Sequence, residues 1–247
     1  MVITFMSRPK VALIVGAGDA TGGAIAKRFS QEGFTVCVTR RNADKLKDLV
    51  SEIKDQGGIV HAFGSDARRE EQVISLISEI ENEIGPIQIA VYNVGGNVKF
   101  PITETTSRVY FKVWEMCSLG GFLMGREVAK KMLNRGEGTI LFTGATASIR
   151  GSSGFSAFSG GKHALRALAQ SMARELSPKG IHVAHIVIDG AIDTEFIKEM
   201  FPKAYALKEQ DGILNPEHIA ENYLMIHNQP RSSWTFELDL RPWIEDW

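Results

Sequence analysis

The chain reads as an α/β protein: a doubly wound parallel sheet of seven strands flanked by helices. Three observations predict this. Short apolar runs alternate with amphipathic stretches along the 247 residues. The first run passes directly into a glycine-rich turn and then a helix. No linker, low-complexity tract or solenoid repeat interrupts the alternation. Strand–helix alternation at this period implies parallel strands with helices on both faces, and the length suits one domain over 1–247.

The elements follow in order. KVALIV (10–15) is a buried strand and a helix runs from about Asp19 to Gln31. FTVCVT (34–39) is the second strand, ADKLKDLVSEIKDQ (43–56) a helix, and GIVHAFG (58–64) the third strand. A helix over 69–85 leads to the fourth strand, IQIAVYN (87–93). The spacing of Val113, Met116, Gly120, Leu123, Val128 and Met132 predicts one long helix over 107–134. GTILFTG (138–144) is the fifth strand, and the helix over 153–176 stops at SPKG, a proline–glycine signal. IHVAHIVI (181–188) is the sixth strand. Asn215 caps and Pro216 opens the next helix, and WTFELDL (234–240) alternates as the seventh strand.

Composition excludes several classes. A formal net charge of −1 with 23% charged residues gives no basic field for nucleic acid and no polybasic anchor for a membrane. Cys37 and Cys117 form no motif spacing, so neither a disulfide framework nor a thiolate metal site is expected, and a reducing cytoplasm is the default location. The N-terminal MVITFMSRPK has too short an apolar run for a signal peptide, and no window approaches the roughly 18 apolar residues of a membrane span. The six histidines lack H-E-x-x-H spacing, and His182 and His185 fall on opposite faces of a strand, so no metal is expected.

Ligands of such sheets sit outside the strand carboxyl ends. The first such end is VGAGDATGGAIA (15–26), where Gly16, Gly18 and Gly22 permit a tight turn and the approach of a pyrophosphate to a helix N-terminus, the dinucleotide arrangement of a Rossmann fold. On these residues the chain resembles the short-chain dehydrogenase/reductase family, over nearly its whole length. That family's T-G-x-x-x-G-x-G reads here with Val15 for the threonine, Gly16, Ala20 for the middle glycine, then Thr21 and Gly22. Asn93 and Gly95, in YNVGG, match its N-N-A-G, with Tyr92 for the first asparagine. Asp66, followed by Ala67, matches the adenine-binding aspartate. DGAIDT (189–194) resembles its P-G-x-x-x-T, with Asp189 for the proline, Gly190 kept, and Thr194 for the threonine that meets the nicotinamide amide. Arg40 and Arg41 stand where a carboxylate would select NAD, and two guanidinium groups suit a 2′-phosphate. NADP(H) is therefore the expected cofactor. Asp19 argues the other way, which leaves NAD(H) open.

The resemblance also implies a proton relay, and here the chain departs from it. The family tyrosine falls on Phe158, the serine on Ala145, and the asparagine on Cys117; only the lysine, Lys162, is kept. Phe155, seven before the lysine, also lacks a hydroxyl. A proton donor contributes about 10²–10⁴ in rate and an oxyanion donor about 10²–10³. Candidate substitutes are Thr143, Thr146, Ser159 (about 100° around the helix from Phe158), Tyr92, Cys117 and, as a candidate acid, Asp189, which suits a turn cap better. The segment 195–214 falls where the family places a substrate lid; Phe196, Ile197, Met200, Phe201 and Tyr205 there form an apolar wall, which suits an apolar substrate or a helix packing on its own core. The apolar residues of the two long helices, with Trp243 and Trp247, point to a homo-oligomer, dimer or tetramer. Two readings remain: an NADP(H)-dependent oxidoreductase of unknown small-molecule substrate with a non-standard proton donor, or a catalytically silent nucleotide-binding protein that acts through partners. A lyase on the same fold is a third.

Overall fold

The computed structural model describes residues 9–245, and the stretch 1–8 and Trp247, read above for targeting and for association, lie outside them. Seven strands form one sheet in the order β3-β2-β1-β4-β5-β6-β7, every neighbouring pair parallel. They are β1 (Val11–Val15), β2 (Thr35–Arg40), β3 (Val60–Gly64), β4 (Ile87–Tyr92), β5 (Gly138–Thr143), β6 (Ile181–Ile188) and β7 (Glu237–Leu240). All five residues of β1 are buried, as a central strand covered on both faces must be, whereas the edge strands β3 and β7 are largely uncovered. The order reverses between β1 and β4, which opens a crevice at their carboxyl ends.

The helices are α1 (Thr21–Gln31), α2 (Lys47–Asp55), α3 (Glu70–Glu79), α4 (Ser107–Trp114), α5 (Gly120–Leu133), α6 (Ser156–Leu176), α7 (Glu195–Met200), α8 (Pro202–Tyr205) and α9 (Pro216–His227). One core, with Leu13, Ala90 and Phe142, is closed by α3, α5 and α6; the other, with Ile14, Val91 and Leu141, by α1 and α9.

The expected helix over 107–134 is two helices joined through a π turn at Glu115–Leu119. A π turn inserts a residue and loosens the ladder. Here the Met116 carbonyl takes a hydrogen bond from the Tyr92 hydroxyl at 2.5 Å. The expected helix over 69–85 likewise changes to a π turn at Ile80–Ile84. α6 tolerates Gly160 and Gly161 in its second turn because α4 crosses there: a side chain at 160 would meet the Tyr110 hydroxyl at 2.7 Å, and one at 161 would meet Cys117 Cβ at 2.9 Å. The glycine pair costs about 1 kcal/mol of helix propensity per residue and gains close packing.

Candidate active site

The glycine turn is built on one obligatory conformation and one obligatory contact. Gly16 has φ +91°, and a Cβ there would meet the Asn93 carbonyl oxygen at 2.7 Å. Gly22 packs so closely on the Gly16 carbonyl that no side chain fits. Asn93 locks the turn to the end of β4, donating from Nδ2 to the Gly16 carbonyl at 3.0 Å and from its backbone N–H to the Val15 carbonyl at 2.8 Å. Ala20, at the N-cap of α1, offers no side-chain acceptor, so the first-turn N–H groups stay available to an anion. Gly18 has open space where its side chain would be and faces the cleft.

Beyond the turn lies a cleft of about 250 Å³ lined by Gly16, Arg40, Arg41, Asp66, Ala67 and Gly95, among others. Its charges are prearranged. Arg68 grips Asp66 through two bonds, 2.9 and 2.6 Å, and holds its carboxyl down to about 2. Arg40 donates to Asp19 at 2.9 Å and to the Lys45 carbonyl at 3.0 Å. Arg41 is exposed and has no hydrogen bond or ion pair among the described residues. The groups the sequence placed at the adenosine end thus come together, and the two arginines are unequal. Arg68 was missed; a cation two residues from a strand-end aspartate was its available signal.

The second cleft, about 470 Å³, shares Asn93, Val94 and Gly95 with the first. Lys162, Phe158, Phe155, Ala145, Thr146, Ser159 and Gly190 line it, with Ile188 and Ile192. The Lys162 ammonium donates to the Thr143 carbonyl at 2.7 Å and the Val94 carbonyl at 3.4 Å, and burial lowers its pKa. It lies 6.0 Å from the centroid of the Phe158 ring, which carries no group able to exchange a proton. Ala145 supplies only a methyl group.

Several expected substitutes are elsewhere. The Tyr92 hydroxyl is fully buried under α5 on the Met116 carbonyl, and burial pushes its pKa up. Cys117 is buried between α4 and α6, outside the cleft lining, with its thiol also pushed up by burial. The Thr143 hydroxyl pairs with the Tyr223 hydroxyl at 2.7 Å. Asp189 is fully buried and does not line the cleft; its Oδ1 accepts from Thr146 Oγ1 at 2.6 Å and Arg150 at 3.3 Å, and Arg241 lies 3.8 Å from Oδ2. As a side chain meeting the cofactor face directly, Asp189 is therefore corrected: one hydroxyl stands between it and the cleft.

The expected apolar wall over 195–214 is not part of the inner cleft. Phe196, Met200 and Phe201 are more than half exposed. Phe196 and Tyr205 border an outer cleft with Gly18, Asp19 and Thr194, and the apolar wall of the inner cleft is built from α6 and the ends of β5 and β6 instead. Thr194 caps α7, accepting from the Ile197 N–H at 3.1 Å. His182 bonds the Thr235 carbonyl at 2.8 Å and stacks on Trp234, while His185 bonds Glu237 at 3.0 Å. Among the described residues no group of three or more histidine, cysteine or acidic side chains could hold a metal ion. No helix among them is long and apolar enough to cross a membrane.

Comparison with known proteins agrees with this geometry. The family model for short chain dehydrogenases matches residues 10–204. A short-chain dehydrogenase from Rhodopseudomonas palustris is 45% identical, with a TM-score of 0.80 over 95% of this chain and 99% of that one. A short-chain dehydrogenase/reductase from Armillaria gallica is 30% identical over 186 residues, 74% of this chain and 71% of its own. A 7α-hydroxysteroid dehydrogenase, complexed with NADH and 7-oxo glycochenodeoxycholic acid, is 28% identical, with a TM-score of 0.86 over 95% of this chain and 93% of that one.

Proposed function

Since the chain belongs to the short-chain dehydrogenase family, we propose that it is an NADP(H)-dependent oxidoreductase whose proton transfer does not run through a tyrosine. One observation carries this reading: the glycine turn, Asn93 and Lys162 keep a formed cleft, while the ring beside Lys162 has no hydroxyl. When bound, the nicotinamide supplies or accepts a hydride. The protein's part would be to hold it: the N–H groups of the α1 first turn would meet its pyrophosphate, Lys162 would donate to the ribose hydroxyls, and Thr194 would meet the nicotinamide amide. Phe155, Phe158, Ile188 and Ile192 favour an apolar substrate. Two buried thiols, Cys37 and Cys117, suit a reducing cytoplasm.

Preference for NADPH over NADH follows from Arg41 and Arg40, because a charge-assisted hydrogen bond to a 2′-phosphate contributes about 1.5–3 kcal/mol, which is roughly tenfold or more in affinity. Asp19 competes for Arg40 across 2.9 Å, so Asp19→Ala should tighten NADPH further, and Arg41→Asp should reverse the preference. Titration by cofactor fluorescence tests this. The 28% identical relative holds NADH, so equal affinities or a preference for NADH are real alternatives that would remove the arginine argument.

Self-association belongs to the same reading. Tyr110, Phe111 and Trp114 on α4 and Phe122 on α5 are exposed, and a net charge of −1 gives copies of the chain little reason to repel. Sedimentation should give a dimer or tetramer at micromolar concentration, and Phe111→Glu with Trp114→Glu a monomer. A wild-type monomer counts against the reading.

A further inference from the structure

Phe158 and Ala145 leave the inner cleft without its usual acid, so the buried polar side chains on its wall matter. The Thr143 hydroxyl is paired with Tyr223, one Asn93 Nδ2 contact goes to the Gly16 carbonyl, two Lys162 contacts go to backbone carbonyls, and the Ser159 hydroxyl has no hydrogen bond among the described residues. Thr146 differs. It lines the cleft, and its single hydroxyl proton is committed to Asp189 Oδ1 at 2.6 Å. An oxygen whose proton points away from a cleft has only lone pairs left to offer it. The wall therefore presents an acceptor, backed by a carboxylate.

The backing is built, not incidental. Asp189 follows β6 directly with no exposed surface, and its N–H bonds the Leu240 carbonyl at the end of β7 at 2.8 Å. Every charged group facing it is a cation: Arg150 from the loop after β5 at 3.3 Å, and Arg241 beyond β7 at 3.8 Å. Two further anions share these cations: Glu245 meets Arg150 at 4.0 Å, and Asp239 pairs with Arg241. Removing a carboxylate from water is costly unless it is paired, and two guanidinium groups offset that cost for the ionised form. Oδ2 has no hydrogen bond among the described residues. Arg150 is 38% exposed, so its guanidinium reaches solvent.

We propose that Thr146 is the catalytic residue that receives the hydroxyl proton of an apolar secondary alcohol, with Asp189 as the relay partner behind it. The inference rests on the NADP(H) reading above. The substrate O–H bond breaks and its proton passes to Thr146 Oγ1 as the threonine's own proton moves to Asp189 Oδ1. The hydrogen on the carbinol carbon leaves with its electron pair as hydride to the oxidised nicotinamide. The carbon–oxygen bond becomes a carbonyl, and Asp189 later releases the proton to water near Arg150. The direction follows from the hydrogen bond: the Thr146 proton is committed to Asp189, so the wall offers a substrate hydroxyl an acceptor, and alcohols, not ketones, are the substrates of this wall.

The test uses two probes, methyl phenyl carbinol as substrate and its trifluoromethyl analogue as a binding ligand that resists oxidation. Wild-type protein with NADP⁺ should oxidise the first, with a solvent deuterium isotope effect above twofold. Thr146→Val should lower kcat at least tenfold and weaken the fluorinated alcohol about tenfold by fluorine NMR, while Thr146→Ser restores both. NADPH affinity should stay within about twofold in each variant. Asp189→Asn should lower kcat similarly and abolish the isotope effect; if it fails to fold, the Thr146 pair still decides. Unchanged turnover and binding in Thr146→Val overturn the relay, as does a wild-type protein that binds NADPH yet oxidises nothing. Failure to bind NADPH at all is a separate result, which removes the cofactor reading.

Discussion

Phe158→Tyr combined with Ala145→Ser raises reduction of simple ketones by about 10²–10⁴ over the wild-type protein. Wild-type protein is slow in that direction because no group at 158 exchanges a proton and none at 145 holds the developing oxyanion. Both positions line the same cleft, so the new hydroxyls converge on one oxygen. The ring at 158 already lies 6.0 Å from the Lys162 ammonium, measured to its centroid, and a phenol there would have its pKa lowered by that charge. Groups acting on one oxygen are not additive, so each single variant should recover much less than the double. Phe158 lines the cleft, and a hydroxyl at 145 would stand near Ser148 Oγ, which already accepts from the Ala145 N–H at 3.1 Å; each added hydroxyl needs a partner in the folded protein. The measurement is ketone-dependent NADPH oxidation, with cofactor binding checked in parallel. A double variant that folds, binds NADPH and stays silent means that the substrate side of the cleft has diverged beyond its donors. Brisk ketone reduction by wild-type protein means that a donor other than a tyrosine already serves.

What the sequence revealed and what it withheld divide along a physical line. The succession of strands and helices, the glycine turn and the positions of Lys162, Phe158 and Ala145 follow from periodicity and from motif spacing, which are local. Side-chain direction is not local. Tyr92 ends a strand that points at the cofactor cleft, yet its ring turns under α5, because the π turn at Glu115–Leu119 frees the Met116 carbonyl and periodicity alone does not register one inserted residue. Asp189 reads as a turn cap or an acid; only the fold brings Arg150, Arg241 and Thr146 around it. A carboxylate at the end of the apolar run IHVAHIVI was a signal that some cation must be buried with it, but not which. The lid shows the same limit: near-helical spacing of Phe196, Met200 and Phe201 marks an apolar face without saying what covers it, and among the described residues nothing does.

Acidification from pH 6.5 to 4 should destabilise the protein by several kcal/mol, with His185 and His227 as the cause. Burial lowers the pKa of each from 6.5 to about 4. His185 sits against Glu237 with no exposed surface, its ring occupying the space beside Gly144, and His227 lies edge-on to Phe29 and Phe34 with ring centroids 5.9 and 5.5 Å away. The folded state keeps both rings neutral where the unfolded chain would protonate them. Between these two pH values the unfolded state therefore binds more protons, and stability must rise with pH. The contribution is complete above about pH 6.5 and is lost as pH falls toward 4, at about 3 kcal/mol for each ring. Set against a typical domain stability of about 5–15 kcal/mol, that loss is enough to bring on acid unfolding. Asp66 acts in a different window: its carboxyl is held at about 2 by Arg68, so its contribution is lost only below 3.8. Urea unfolding across this range, read by tryptophan fluorescence, should show the slope in wild-type protein. His227→Phe, which keeps the edge contacts with Phe29 and Phe34, and His185→Leu should together flatten most of it, with the remainder carried by buried His182, whose pKa burial also lowers. If both variants retain the wild-type slope, the acid sensitivity belongs to other groups and the two buried imidazoles are not its source.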